Sequence, residues 1–432
     1  MKVQVRRVGL IGCGVIGSAF LELVWKKSSF IKSYSGIDVR IAALCDLNPK
    51  IKRIAGKFGI PFTPKAEDII NNPDIDIIVE LIGGLNPAGK YIMSSLRKGK
   101  NVVTANKALL AERGREIFRA VSETGKALGF EASVLGGVPI IKSILDSLQF
   151  GGIKHIYGIL NGTTNFILTE MSRESESFSS ALKSAQAKGF AERDPSLDIK
   201  GIDSLNKISV LSFLCFGKFP QPKKILAEGI ERISPRDISY AEELGFAVKL
   251  LSAAKSSNGK VDVRVHPALV PLGHPLAKTD GALNSVFVRT LAGGDFFFSG
   301  LGAGGKPTAL AVLSDVLNIF RQKYSYRFLA NSRNNLLFLD KGDLIFRYYF
   351  RFSALDKPGV LAKISKILAS YRISIASVTQ KKSDFPHGKG KIVPIVMLTH
   401  AAKESDILKA KAEIDNLSEI REKSQMLRIE EL

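Results

Sequence analysis

The sequence predicts an α/β chain in three parts, and three observations carry that expectation. An apolar, β-branched run at residues 3–11 leads into Gly12-Cys13-Gly14-Val15-Ile16-Gly17, after which Ile16, Phe20, Leu23 and Val24 recur at helical spacing. From about residue 153 the regular strand–helix alternation gives way to strands gathered together with intervening helices, an α+β pattern. After a polar stretch at 326–342, residues 344–432 read β-α-β-β-α with a further strand at 426–430, a ferredoxin-like order. The expected architecture is a Rossmann-type dinucleotide-binding domain at 1–135 with a return helix at 306–325. A mixed-sheet domain for substrate binding and dimerisation follows at 136–305, then a linker at 326–343 and the ferredoxin-like module at 344–432.

Strand, then GxGxxG, then helix is the context a dinucleotide fingerprint requires. Gly12 makes the tight turn, Gly14 lets the backbone approach a pyrophosphate, and Gly17 lets helix and strand pack closely. The phosphates then sit at a helix N-terminus. A second strand at 39–45 ends in Asp46, placed to bind ribose hydroxyls, with the insertion at 28–38 explaining its late arrival. Asp46 also reads as a cap before Pro49, and Lys50, Lys52 and Arg53 are placed to receive a 2′-phosphate, so the residues lean to NAD and leave NADP open. A buried strand at 75–82 ends in Ile82-Gly83-Gly84, a helix spans 87–99, and a strand at 101–105 ends at Asn106-Lys107. Strand C-termini of an open parallel sheet face the ligand crevice, which puts Ile82 and Lys107 there. A lysine opening the next helix, at 108–123, opposes the helix dipole and needs a counter-charge. Glu131 falls inside a strand predicted at 127–134, where a carboxylate is costly unless paired. It reads either as a structural hydrogen-bond acceptor or as a cation ligand together with carbonyls of the following turn.

In the middle region strands are predicted at 153–160, 226–233, 261–269, 285–291 and 296–299. Helices are predicted at 163–173, 178–188, 202–216 and 237–244, the last with Ser234-Pro235 as cap and first residue. The 202–216 helix is apolar nearly all round and therefore buried, yet Asp203 and Lys207 share one face of it. A buried lysine beside a carboxylate has a tunable proton affinity. Glu192, Asp194 and Asp198 precede that helix and suit the ammonium group of an amino-acid substrate, though a solvated acidic loop has the same spacing. With no histidine in this loop or helix, proton transfer falls to lysines, and the whole reads as a nicotinamide-dependent alcohol or aldehyde oxidoreductase.

Composition sets the outer bounds. Of 432 residues, 45% are hydrophobic and 24% charged, as in folded globular chains. No apolar run approaches the ~20 residues that span a bilayer, the longest candidate being 210–216. The chain opens in a strand rather than a cleavable leader. Cys13, Cys45 and Cys215 lie far apart, which suits a reducing cytoplasm and argues against zinc. The net charge of +21 is spread along the chain with no basic block or aromatic-interleaved stripe, so neither nucleic acid nor a membrane is expected as a partner.

The stretches GLIGCGVIG, VELIGG, NVVTANKALLA, EASVLGGVPII, GILNGTTNFIL, GFAERDPSLDIKGIDSLNK, LVPLGHPLA and GAGGKPTALAV occur in the order found in monofunctional homoserine dehydrogenases, which the chain resembles. The C-terminal YYFRFSALDKPGVLAKISKIL and SIASVTQ resemble an ACT domain. The resemblance implies NAD(P)-dependent interconversion of L-homoserine and L-aspartate 4-semialdehyde, on the route to threonine, methionine and isoleucine. It implies that Lys207 donates and accepts the proton, Lys107 lies between nicotinamide and substrate, and Glu192 and Asp203 hold the substrate ammonium. The implied cofactor set is Gly12, Gly14, Val15, Ile16, Gly17, Asp46, Ile82, Lys107 and Gly302, the last in a loop closing over the site. Glu131 with the carbonyls of Val134, Gly136 and Val138 matches the family's sodium site. A homodimer or homotetramer and an amino-acid effector at the ACT-like module, threonine first among the candidates, are implied as well. Cys45 stands where many members carry arginine, which weakens the case for a strong NADP preference. Lys200 and Leu135 also depart from the family's usual residues.

Overall fold

The apolar runs of the N-terminal third form six parallel strands in the computed structural model, which describes residues 3–221, 225–321, 336–380 and 392–432. These are β1 (Gln4–Ile11), β2 (Ile37–Cys45), β3 (Phe62–Thr63), β4 (Ile77–Glu80), β5 (Asn101–Thr104) and β6 (Leu128–Gly129), in the order β3-β2-β1-β4-β5-β6. The chain order reverses about β1, which pairs with both β2 and β4, and opens a crevice at their C-terminal ends. Helix Ser28–Ser35 fills the insertion that delays Asp46. The expected return helix is Gly305–Phe320, and its Val312, Val316 and Ile319 share a core with Phe20, Leu21 and Val24 of helix Val15–Lys26.

The second sheet is larger than the sequence suggests. Strands β7 (Ile153–Ile159), β8 (Leu226–Ala227), β9 (Phe246–Ser257), β10 (Lys260–Pro271), β11 (Leu283–Thr290) and β12 (Asp295–Leu301) belong to it. So do β13 (Leu337–Phe338), β14 (Ile345–Leu355), β15 (Ile375–Gln380), β16 (Ile392–Thr399), β17 (Ala402–Lys403) and β18 (Gln425–Ile429). Among the described residues these make one 12-stranded sheet whose main path runs β12-β11-β7-β9-β10-β18-β14-β16-β15. The segment β18-β14-β16-β15, with helices Val360–Ser370 and Glu404–Asp415, is the expected ferredoxin-like module. It does not stand apart, because β18 pairs in parallel with β10 on one side and antiparallel with β14 on the other.

Three sequence expectations change. β9 has no counterpart among the predicted strands. Its Ala, Lys and Ser residues are weak strand formers, and Val248 to Ala254 are buried on both faces, so no alternation marks it. The strand expected at 226–233 is only Leu226–Ala227, because Gly229 then passes so close to residue 199 that a Cβ would lie 2.2 Å from the Ile199 carbonyl oxygen. The strand expected at 127–134 stops at Gly129, and Glu131 lies in a 3₁₀ turn, Glu131–Ser133. Its N–H is taken by the Asp315 carboxylate at 2.9 Å, not by a neighbouring strand. Of the stretch read as a linker, 326–335 lies outside the described residues, as does 322–325 at the end of the expected return helix, and Leu337–Phe338 is a short strand on β10.

Candidate active site

The nucleotide turn has the form its glycines demand. Gly12 has φ +94°, and a Cβ on Gly17 would lie 2.2 Å from the Gly12 carbonyl oxygen. Gly14, the residue before helix Val15–Lys26, has open space where a Cβ would project, which is room for a phosphate at the helix N-terminus. Val15 (78% exposed) and Ile82 (39% exposed) offer apolar surface beside this gap, while Ile16 is half-buried. Asp46 accepts from Cys13 N–H at 2.7 Å and from Asn48 N–H at 2.8 Å, so its carboxylate ties the end of β2 to the glycine turn. The cap of helix Pro49–Lys57 is Asn48 and not Asp46.

A carboxylate the sequence reading passed over organises the crevice floor. Glu80, at the end of β4, is fully buried. One oxygen accepts from the N–H groups of Ile82 (2.8 Å) and Gly83 (3.2 Å), and the other from the Thr104 hydroxyl (2.7 Å). Thr104 in turn accepts from Asn106 N–H at 3.0 Å, while the Asn106 side chain donates to the Gly84 carbonyl at 2.6 Å and caps helix Lys107–Thr124. The loops after β4 and β5 are thus tied through one buried group. Glu80→Ala leaves several buried donors unmatched, each costing about 1–3 kcal/mol. We expect a clear fall in Tm and a several-fold rise in cofactor KM, measured by thermal melt and initial rates.

Helix Lys107–Thr124 crosses helix Ile202–Phe216, and Gly114 makes room for the segment that follows that helix, since a Cβ there would meet the Phe219 ring at 2.2 Å. Phe219 stacks on Phe213 with centroids 4.1 Å apart, and Phe118 packs on Phe213 at 4.7 Å. This crossing sets Lys107 beside Asp203. Lys107 Nζ lies 3.0 Å from one Asp203 oxygen and Lys207 Nζ 2.7 Å from the other. The counter-charge that a lysine at a helix start requires is therefore Asp203. Lys207 is 7% exposed and also donates to the Leu160 carbonyl at 2.6 Å, whereas Lys107 is 41% exposed and faces the crevice side.

The electrostatics follow from this row of three. Burial works against the Asp203 charge, but Lys207 and then Lys107 outweigh it and hold the carboxyl well below the usual range. Burial pushes the Lys207 ammonium below the ordinary lysine range; Asp203 opposes that shift and Lys107 adds to it. For Lys107 burial also acts downward, but Asp203 prevails and raises it.

Asn161 completes the cluster. Its amide donates to Asp198 at 2.7 Å and Asp203 at 2.9 Å, and its oxygen caps helix Gly162–Glu174. Asn165 has a different task, donating to the carbonyls of Thr279, Gly281 and Leu283. The structure brings Lys107, Asp203 and Lys207 together but leaves Glu192 at the exposed rim, where its charge still acts on Lys107. Asp198 occupies the inner place. Its signal in the sequence was faint, since three carboxylates lie within one short loop and spacing does not rank them.

Gly302 is buried against Asn284, where a Cβ would overlap the side-chain oxygen, and Gly305 reaches Val15 of the nucleotide turn. The glycine loop thus bridges the two halves of the crevice. Glu131 accepts from the N–H groups of Ile141 (3.0 Å) and Lys142 (2.8 Å) at the start of helix Ile140–Asp146. Burial, and after it the nearby Asp315, push its carboxyl up to about 8. Among the described residues no group of three or more His, Cys, Asp or Glu side chains forms a metal cluster, and no helix is long and apolar enough to cross a membrane.

A six-stranded dinucleotide sheet with a buried lysine–carboxylate pair across its crevice defines an NAD(P)-dependent oxidoreductase. Family models describe residues 139–317 as homoserine dehydrogenase, 12–131 as the homoserine dehydrogenase NAD-binding domain and 348–418 as an ACT domain. The chain is 35% identical over 434 residues to a homoserine dehydrogenase of Pseudomonas aeruginosa, covering 99% of each. A crystal structure of a homoserine dehydrogenase from Thiobacillus denitrificans superposes with a TM-score of 0.89 at 37% identity, over 99% of this chain and 98% of that one. A hyperthermophilic archaeal homoserine dehydrogenase in complex with NADPH matches 74% of this chain and 99% of its own, with a TM-score of 0.63 at 25% identity. The chain belongs to the homoserine dehydrogenase family.

Proposed function

We propose the following roles in the homoserine dehydrogenase reaction, the interconversion of L-homoserine and L-aspartate 4-semialdehyde; the observation that carries them is the Lys107–Asp203–Lys207 row. Nicotinamide, when bound, supplies the hydride acceptor in oxidation and the hydride donor in reduction. Lys207 in its neutral form takes the hydroxyl proton as homoserine is oxidised, and as an ammonium returns it to the carbonyl oxygen in reduction. Its burial supports this, because a lowered proton affinity brings the neutral form within reach. Lys107 stands on the nucleotide side and orients the reacting oxygen. Asp203 and Asp198, with Glu192 at the rim, attract the substrate ammonium. Gly12, Gly14, Val15, Ile16 and Gly17 cradle the pyrophosphate, Asp46 faces the ribose, Ile82 backs the nicotinamide side, and Gly302 lies in the closing loop. With Cys45 before Asp46, NAD is expected to serve at least as well as NADP. The direct test follows reduced-nicotinamide absorbance with L-homoserine and each cofactor; no turnover with either defeats the reading.

We propose a sodium ion beside Glu131 and the carbonyls of Val134, Gly136 and Val138. All these donors are oxygens, as a hard cation requires; the cation's own charge would offset the burial that raises the Glu131 carboxyl, and a carboxylate accepting one N–H per oxygen keeps further lone pairs. Leu135 turns the chain here with φ +55°, and Gly137 N–H donates to the Leu301 carbonyl at 3.1 Å, so an ion would steady the turn under the Gly302 loop. Sodium chloride should raise Tm by about a few degrees over choline chloride at equal ionic strength, and Glu131→Gln should abolish the difference. Equal melting in both salts counts against the ion.

The further roles are an amino-acid effector at the ACT domain, threonine to be tried first, and a homodimer or homotetramer in the cytoplasm. The edge strand β12 supports self-association, with Phe297 (42%) and Leu301 (52%) exposed along it. The boundaries 1–135, 136–305 and 344–432 remain our division of the chain.

A further inference from the structure

The C-terminal strand reaches the substrate side of the site through one buried arginine. Arg428 of β18 is fully buried and lies opposite Ala268 of β10. It grips Glu228 with two parallel hydrogen bonds, both 2.8 Å, and donates through Nε to Glu404 at 2.9 Å. Glu404 is fixed in turn by the Tyr348 hydroxyl at 2.7 Å.

Glu228 sits where the chain leaves β8. Its N–H donates to the Val265 carbonyl of β10 at 2.9 Å, so its backbone is pinned to the same strand that carries β18. The next two residues press on the acidic loop. Gly229 lies against Ile199 and Lys200 with no room for a Cβ, and Ile230 N–H donates to the Ile199 carbonyl at 2.9 Å. Gly201, with φ +77°, has its Cβ direction filled by the Glu228 carbonyl and Val265. The turn at 199–201 links helix Ser196–Ile199, which carries Asp198, to helix Ile202–Phe216, which carries Asp203 and Lys207. Its outer wall is therefore the 228–230 segment.

We propose that Glu228, clamped by Arg428, is a positioning residue that sets the 199–201 turn and with it Asp198 and Asp203, so that the C-terminal strand takes part in homoserine binding. The inference rests on reading Asp203 as an ammonium site. A bidentate arginine–carboxylate pair fixes direction as well as distance, which a single charge does not. Lys207 is held independently by the Leu160 carbonyl, so the clamp should govern binding more than proton transfer.

The test uses the full-length enzyme. Glu228 is 43% exposed and Glu404 still neutralises Arg428, so Glu228→Ala is expected to fold. It should raise the KM for L-homoserine about five- to tenfold, with kcat within about threefold and cofactor KM within about twofold of wild type. Glu228→Gln, which still accepts from Arg428, should recover much of that loss. Arg428→Lys, which keeps a cation between the two carboxylates but loses the fork, should shift homoserine KM in the same direction. A homoserine KM within about twofold of wild type in both Glu228→Ala and Arg428→Lys, or an equal rise for the cofactor, overturns the proposal. Asp203→Asn separates the two readings. If it raises homoserine KM while Glu228→Ala does not, the clamp alone is refuted; if neither does, the ammonium site itself is wrong.

Discussion

Lys207→Ala is expected to lower kcat by about two to four orders of magnitude, the range for loss of a general acid–base group. The lysine is almost fully buried, its Nζ shared between Asp203 and the Leu160 carbonyl. Lys107 is bonded to the other Asp203 oxygen and not to that carbonyl, so it is not set to substitute. Truncation removes the buried charge along with its stem, and Asp203 keeps Lys107 as partner, so the variant should fold and bind cofactor with little change. Single-turnover rates with homoserine, beside cofactor affinity by fluorescence, check both halves. Near-normal turnover would refute the proton-transfer role.

Asp203→Asn should produce the second largest effect, a fall in kcat/KM of about a hundredfold or more. The carboxylate separates two ammonium groups and accepts from Asn161. An amide there fills the same space but leaves the two lysines facing each other without the carboxylate between them, with only the more distant Asp198 and Glu192 to offset their charge. Homoserine KM should rise because the innermost negative site for its ammonium is gone, and kcat should change because Lys207 loses the main partner that holds its proton on, ahead of Asp198. Steady-state rates at saturating cofactor separate the two contributions. An Asn variant with wild-type KM would place the substrate ammonium elsewhere.

The residues that could be read from the chain were those whose meaning is local. Gly12 to Gly17 imposes a turn on its own neighbours, and Asp203 with Lys207 on an apolar helix declares a buried pair through spacing alone. Ser234-Pro235 opens its helix as local capping chemistry requires. What stayed hidden is long-range. β9 is buried on both faces, with Val248, Leu250 and Ala254 in one hydrophobic cluster and Leu251 and Ala253 in another, so its sequence carries no alternation. Glu131 looked like a strand residue until Asp315, distant in sequence, took its N–H. Glu192 and Asp198 are alike in spacing, and only the fold of Asn161 against the loop chooses the second for the inner position. The joining of β18 to β10 likewise depends on Arg428 and Glu430 meeting Glu228 and Arg264 across the chain.

The central claim is that Lys207 is the proton-transfer group and that Asp203 tunes it. The most direct measurement is the pH dependence of kcat for homoserine oxidation, in wild type and Asp203→Asn. Oxidation needs neutral Lys207, so kcat should rise with pH through the lysine's own titration and level off above it. Burial already sets that titration below the ordinary lysine range, and Asp203 partly restores it. Removing the carboxylate should therefore move the rise to lower pH in the variant. A rise at the same pH in both proteins, or one displaced to higher pH in Asp203→Asn, would contradict the account.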